Sequence, residues 1–223
     1  MRTIFVGDIH GCSAEFDDLL NEVGYDSAKD RLLLTGDILS KGPDPIGVWD
    51  RIKQTGAEMV LGNHDDRLLT HLRSIVNGNP KKLKNPDHIR LLDFVTPLIG
   101  EFLPWLETVP LYISDVRFLL AHAGVNPEKG LEGTTRDEFL AIRTWPPTGG
   151  IEGPRWHDHI VPDSGVLVFG HDAPFGLVEK RKSDGSPCLI GLDSGCVYGN
   201  QLTAYILEED RIVQAENRSG SNL

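Results

Sequence analysis

The chain has 223 residues, 39% of them hydrophobic, which suits one large domain with a well-buried core; no Pro/Gly/Ser-rich linker, repeat or low-complexity segment divides it. Its net charge of −11, from 33 acidic and 22 basic residues, argues against a non-specific nucleic-acid binder, whose affinity comes from neutralising phosphates. If the chain handles phosphate, positive charge must be supplied locally, and metal ions are the obvious means. No apolar run approaches the roughly 20 residues needed to span a bilayer, and the first residues enter a strand without a leader pattern. Cys12, Cys188 and Cys196 are few, odd in number and far apart, which argues against a disulfide framework or a thiolate zinc site. The expectation is a single soluble, cytoplasmic domain over 1–223.

Residues 2–8 read as a buried strand, followed by a helix capped by Ser13 and ending at Gly24. "RLLLTGD" is a second strand, and Pro45–Thr55 a second helix stopped by Gly56. "EMVLGNHD" is a third strand feeding a helix through Asp65–Val76, and residues 88–107 read as helical but interrupted by proline. In the second half, "LYIS", "VRFLLAHAG", "VLVFGH", "CLIGLDSG", "QLTAYIL" and "RIVQAEN" read as strands joined by short turns. A βαβαβ half followed by a β-rich half predicts an α/β (α+β) fold: two mixed sheets stacked as a sandwich, with helices outside.

The polar residues at the strand ends share a pattern. Asp8 and His10 follow "TIFVG", Asp37 follows "RLLLTG", and Asn63 and His64 follow "MVLG"; His122 follows "VRFLLA" and His171 follows "VLVFG". In open α/β sheets the carboxyl ends of strands border the ligand crevice. A single aspartate or histidine there is more often a cap or turn residue; five strand ends delivering Asp, Asn and His are hard to reach through capping needs alone. A mixed oxygen–imidazole set suits Mn²⁺, Fe or Zn²⁺ better than Mg²⁺ or Ca²⁺. One aspartate bridging two ions about 3.5–4 Å apart is the two-metal hydrolase design.

"GDIHG", "GDILSKGP", "GNHD", "HAGVNP", "FGHDAPFGL" and "GLDSGCVYG" stand in the order seen in the phosphoprotein-phosphatase superfamily of metallophosphoesterases. Within it the chain resembles the ApaH-like phosphatases and the symmetrical diadenosine tetraphosphate hydrolases, from Thr3 to about Leu207. The resemblance implies a four-layer α/β/β/α sandwich and two divalent ions, Mn²⁺ foremost, with Fe, Zn²⁺ or Co²⁺ also suited. It assigns Asp8 and His10 to the first metal, Asp37 to the bridge, and Asn63, His122 and His171 to the second. His64 matches the general acid, and Arg143 in "LAIRTW" matches an arginine that holds a phosphate oxygen, with a surface arginine on a helix as the alternative. It further implies in-line attack by a hydroxide bridging the two ions.

Two positions depart from the GDxxDRG pattern of the superfamily's protein phosphatases: Ser40 replaces the acid that orients the catalytic histidine, and Lys41 replaces the phosphate-gripping arginine. Serine cannot stabilise an imidazolium as a carboxylate does, and lysine lacks the bidentate fork. Asp65 is a candidate for the orienting role, with an acidic first-turn residue as the alternative.

Other candidates weigh less. His157 and His159 in "RWHDHIVPDSG" are expected in a solvated loop and excluded as ligands; His71 and His88 are expected at the surface. Cys12 and Cys196 read as small packing residues. Among Trp145, Trp156, Phe175 and Tyr198, one is a candidate for stacking on a nucleobase, a contact worth about 1–3 kcal/mol. The basic run "NPKKLKNP" reads as a solvated loop, with a phosphate-chain contact as the alternative.

The leading functional expectation is hydrolysis of phosphoanhydrides, with diadenosine tetraphosphate or a related nucleoside polyphosphate as partner substrate. The enzyme alternative is a broad phosphatase of phosphoproteins or small phosphomonoesters; inorganic polyphosphate and capped RNA are also compatible. A non-catalytic phosphate-binding scaffold is the reading from outside enzymology, and the intact ligand set with His64 speaks against it.

Overall fold

The central strands carry apolar residues on both faces, so each needs cover on two sides. In the computed structural model, which describes residues 1–147 and 151–218, that cover is another sheet on one side and helices or loops on the other. The single-domain expectation takes in 148–150 and 219–223, which lie outside the described residues.

The first sheet has the order β10-β9-β1-β2-β3: β1 (Arg2–Val6), β2 (Asp30–Leu34) and β3 (Glu58–Met59) run parallel, and β9 (Gln201–Ile206) and β10 (Arg211–Glu216) add antiparallel at one side. The second has the order β4-β5-β6-β8-β7. Its β5 (Phe118–Ala121), β6 (Val166–Phe169) and β8 (Pro187–Gly191) are parallel, and β4 (Tyr112–Ser114) and β7 (Val178–Arg181) are antiparallel edges. Phe5, Leu33, Val60 and Tyr205 of the first sheet meet Phe118, Leu120, Val168 and Ile190 of the second in a dry seam.

The alternate residues Ile4, Val6, Leu32 and Leu34 face the helices α1 (Ser13–Glu22), α2 (Pro45–Thr55), α3 (Asn63–Val76), α4 (Pro86–Val95) and α5 (Ile99–Thr108). Leu167 and Phe169 face Trp156 and Phe139, the latter on α7 (Arg136–Ala141), which follows the one-turn α6 (Gly130–Gly133). The layers are therefore helix, sheet, sheet, helix.

Several local expectations need correcting. Ser13 is the first residue of α1 rather than its cap: Cys12 holds the cap position, and the Ser13 hydroxyl donates to the Asp44 carboxylate (2.5 Å), which itself caps α2. The third strand pairs over only two residues, because the chain turns into α3 at Asn63, two residues earlier than expected. The short β7, α6 and α7 carry too little periodicity to have been anticipated. Helix α2 ends as expected, with Gly56 in the left-handed conformation (φ 66°). Among the described residues no helix is long and apolar enough to cross a membrane.

Candidate functional site

Six parallel strands, three from each sheet, aim their carboxyl ends at one cleft. Asp8 stands two residues past β1, Asp37 three past β2, Asn63 four past β3, His122 one past β5 and His171 two past β6. Ligand atoms of Asp8, His10 and Asp37 lie within 4.8 Å of one another, and so do those of Asp37, His122 and His171. Asp37 is common to both groups. Asn63 Oδ1 lies 3.1 Å from His122 Nε2 and 3.0 Å from His171 Nδ1, which joins it to the second group.

Backbone strain concentrates here. Five non-glycine residues among those described have positive φ, and four of them are His10 (48°), Asp37 (53°), Lys41 (70°) and His171 (71°). Such conformations cost of order 1–3 kcal/mol each and persist where surrounding structure over-determines them. The glycines preceding site residues are needed for space. A Cβ on Gly62 would lie 2.2 Å from Asp37 Oδ1, and one on Gly170 would lie 2.0 Å from Asp8 Oδ1.

The outward ends of these side chains are fixed by hydrogen bonds. His122 Nδ1 donates to the Thr35 carbonyl (2.8 Å), and its Nε2 faces Asn63 Oδ1. Two acceptors facing each other at 3.1 Å repel unless a cation lies beside them. His10 Nδ1 pairs with Ser40 Oγ (2.8 Å), and its Nε2 faces the Lys41 ammonium at 3.2 Å. Asp8 accepts from Thr35 Oγ1 (2.7 Å) and from the His171 backbone N–H (3.1 Å). The His64 backbone N–H donates to Asp37 Oδ1 (2.8 Å), which places the positive end of α3 at the shared carboxylate.

The electrostatics match this picture. Burial, with the charges of Asp193 and Asp37 adding to it, raises the Asp8 carboxyl well above its ordinary value. Burial also acts upward on Asp37, but the surrounding His122, His10 and His64 outweigh it and hold that carboxyl below the usual range. Burial lowers His10 to about 3 and His171 well below ordinary, so both rings are neutral, the ligating form. Clustered buried carboxylates and neutral imidazoles, with facing acceptors between them, form a donor set that fits two divalent cations.

The cleft has a volume of about 310 Å³, and His64, Lys41 and Arg143 line it with His10, Asp37, Asn63 and His171. Arg143 follows α7 rather than lying on a helix surface; its Nη2 donates to the His171 carbonyl (3.1 Å) and its Nε lies 3.6 Å from Asp172 Oδ1. The Lys41 ammonium donates to Tyr198 Oη (2.8 Å).

Asp65 does not orient His64. Its carboxylate accepts from the backbone N–H groups of Asp37 (2.7 Å), Gly62 (3.1 Å) and Ile38 (3.3 Å), so it caps α3 and ties two site loops together. Among the described residues the His64 ring has no hydrogen-bond partner, and burial lowers it to about 4.

His157 is also corrected: it is buried, packed against Phe169 and Phe175 (ring centroids 5.5 and 5.1 Å), whereas His159 is exposed. His71 and His88 are half-buried rather than superficial, His88 standing 6.3 Å from the His64 ring. Cys12 and Cys196, distant in sequence, meet beside Glu15; bonding to Cys12 and burial push the Cys196 thiol up, and all three cysteines are unpaired and buried. Trp156 is core, Trp145 packs beside it, and Tyr198 alone of the four aromatic candidates lines the cleft. No residue of the basic run at 79–86 lines it.

Asp193, two residues past β8, is the site residue that sequence reasoning missed. It is buried, lines the cleft, and accepts from the Ala173 (3.0 Å) and Gly195 (3.1 Å) backbone N–H groups. Its signal was present, since "CLIGL" is another apolar strand that ends in an aspartate.

Residues 1–212 match the profile of the calcineurin-like phosphoesterase family. The chain belongs to that family. Among relatives of this phosphoesterase, the symmetrical bis(5'-nucleosyl)-tetraphosphatase of Photorhabdus laumondii is 41% identical over 136 residues, 59% of this chain and 47% of its own length. The chain thus spans about half the length of the relatives it matches at that level. The enzyme of the same name from Shewanella putrefaciens is 28% identical over 276 aligned positions, covering 95% of this chain and 96% of the relative. Because this phosphoesterase has 223 residues, that relative carries internal stretches without a counterpart here. A crystal structure provisionally named a diadenosine tetraphosphatase superposes with a TM-score of 0.78 at 31% identity, over 98% of this chain and 95% of that one. The four-layer architecture is therefore the metallophosphoesterase fold.

Proposed function

We propose that this phosphoesterase, acting as a single domain over 1–223, is a dinuclear-metal hydrolase that cleaves dinucleoside tetraphosphates symmetrically, with diadenosine tetraphosphate foremost. Asp8 and His10 hold one ion, Asn63, His122 and His171 the other, and Asp37 serves both, in keeping with its place in both ligand groups. Mn²⁺ is the favoured metal for this oxygen–imidazole set. When bound, two such ions supply Lewis acidity, lowering the pKa of a water and offsetting charge at phosphorus. Lys41 and Arg143, both lining the cleft, bind non-bridging phosphate oxygens, and Asp193 supports the loops that carry Ala173 and Gly195. His64 gives a proton to the leaving oxygen. The three unpaired cysteines suit a reducing, cytoplasmic setting.

The observation that favours an anhydride over a phosphoprotein is the His64 ring. Ser40 is committed to His10 and Asp65 to the backbone, so no carboxylate hydrogen-bonds the His64 ring, and burial outweighs the pull of the Asp37 charge and lowers it to about 4. A serine alkoxide, a strongly basic leaving group, depends fully on that proton. Expulsion of a nucleoside diphosphate needs far less protonation. The names of the Photorhabdus and Shewanella relatives support the same substrate class.

Chromatography of early products from diadenosine tetraphosphate with Mn²⁺ tests the reading. ADP is expected as the main product, with a higher kcat/KM than for a phosphoserine peptide. AMP plus ATP would mean asymmetric cleavage, and preference for the peptide would make the chain a protein phosphatase.

A further inference from the structure

A second cavity adjoins the catalytic cleft. Its volume is about 490 Å³, and it shares Asn200 with the cleft as a common wall. Two chain segments run from one space into the other: Ala173 and Pro174 line the cleft while Gly176 and Leu177 line the cavity, and Tyr198 lines the cleft while Gly199 and Gln201 line the cavity. The far wall comes from β10, an edge strand, through Gln214 and Glu216.

The chemistry of the two spaces differs. The cleft presents Lys41 and Arg143, whereas no lysine or arginine lines the cavity, which presents three carboxamides (Asn200, Gln201 and Gln214), the Glu216 carboxylate and the apolar side of Leu177. An anion finds no counter-charge in the second space. The carboxamides are held in place by cross-strand pairs: Gln214 Nε2 donates to Thr203 Oγ1 (3.0 Å), and Gln201 Nε2 donates to Glu216 Oε1 (2.5 Å). Each pair uses one N–H and leaves that amide's second N–H and carbonyl oxygen for a ligand. A paired donor and acceptor in one plane is what matches the edge of an adenine. Glycines at 176 and 199 present backbone to the cavity with no side chain over it, and its size falls within the range of about 300–1,000 Å³ usual for small-molecule sites.

We infer that this cavity is a nucleoside subsite, taking one purine nucleoside of the substrate while its phosphate chain lies over the catalytic cleft. The inference rests on the dinucleoside polyphosphate reading and adds residues that distinguish a nucleotide from bare polyphosphate. Gln201 and Gln214 are specificity residues; they stand outside the ligand cluster and outside the reach of the phosphorus chemistry.

The test compares diadenosine tetraphosphate with inorganic tripolyphosphate, which has the phosphate chain and no nucleoside, in wild type and in Gln214→Ala, Gln214→Glu and Gln201→Ala. Loss of one hydrogen bond of about 0.5–1.5 kcal/mol corresponds to a rise in KM of about two- to thirteenfold. That rise is expected for the dinucleotide alone, with tripolyphosphate KM within twofold of wild type, which also shows that the variants are folded. In parallel, adenosine alone is titrated into ¹⁵N-labelled wild-type protein. The side-chain amide resonances of Gln201 and Gln214 should shift, and the shifts should weaken in the variants. Equal effects on both substrates, no effect on either, or adenosine leaving those resonances in place would overturn the subsite. If diadenosine tetraphosphate is not hydrolysed at all, the proposed function falls, while the adenosine titration still decides the cavity.

Discussion

Gly170→Ala is the sharpest probe of how the site is built. Gly170 precedes His171 and does not have positive φ, so alanine there tests contact rather than backbone conformation. Its Cβ would lie 2.0 Å from Asp8 Oδ1, 2.8 Å from Thr35 Oγ1 and 3.0 Å from Thr35 Cβ. Contacts under 3.0 Å essentially never occur, so the carboxylate must retreat by 1.0 Å (3.0 − 2.0) or the loop must move by as much. Either movement breaks the 2.7 Å bond from Thr35 Oγ1 and the 3.1 Å bond from the His171 N–H. Misplacement of a reacting group by about 1 Å is worth about 10²-fold in rate. The expected result is a drop of that order in kcat/KM for diadenosine tetraphosphate, together with sub-stoichiometric Mn²⁺ by elemental analysis, in a protein whose circular dichroism matches wild type. Full Mn²⁺ occupancy with kcat/KM within threefold of wild type would refute the claim that this glycine makes room for a ligand.

Chelation by EDTA should abolish turnover and added Mn²⁺ or Co²⁺ restore it; full activity in protein shown metal-free by elemental analysis would sink the two-metal reading. Asp37→Asn should be the most damaging ligand change, lowering metal content and rate together, and an unaltered metal content would remove Asp37 from the shared position. Ser40→Ala should weaken metal affinity by about 10–100-fold through loss of the group that fixes the His10 ring, as read by Mn²⁺ titration. His64→Ala should lower kcat for an alkyl phosphomonoester by about 10²–10⁴-fold and for p-nitrophenyl phosphate by much less, with metal stoichiometry unchanged. A loss that is uniform across leaving groups would assign His64 to structure rather than proton transfer.

The ligand strands were legible in the sequence because each feature there is local: an apolar run, a glycine, then a polar residue. Both faces of those strands are buried, which makes the runs continuous and easy to see. Side-chain partnerships were less legible. Asp65 sits beside His64 in the chain, yet its carboxylate turns to the backbone of Asp37 and Gly62, a choice set by the return of the loop after β2. His157 lies in a polar-looking stretch, but its ring is covered by Phe169 and Phe175 from a strand and a loop that sequence spacing does not relate to it. Asp193 carries the same local signal as Asp37, an apolar strand followed by an aspartate, and its place in the cleft is set by the pairing of β8 with β6.

The placement of β9 and β10 bears on how the enzyme comes into being. The antiparallel partner of β1 is β9 at Gln201–Ile206, far along the chain. Closing that pair joins Ile4 to Ile206, the kind of long-range contact that slows folding. Until it closes, β1 has one bare edge, and Asp8 and His10 hang from a strand bonded on one side only. A ribosome-bound chain stopped before Gln201 therefore carries every proposed metal ligand and still lacks the strand that steadies the first two. Competence to bind metal at Asp8 and His10 should arrive only once β9 has been made.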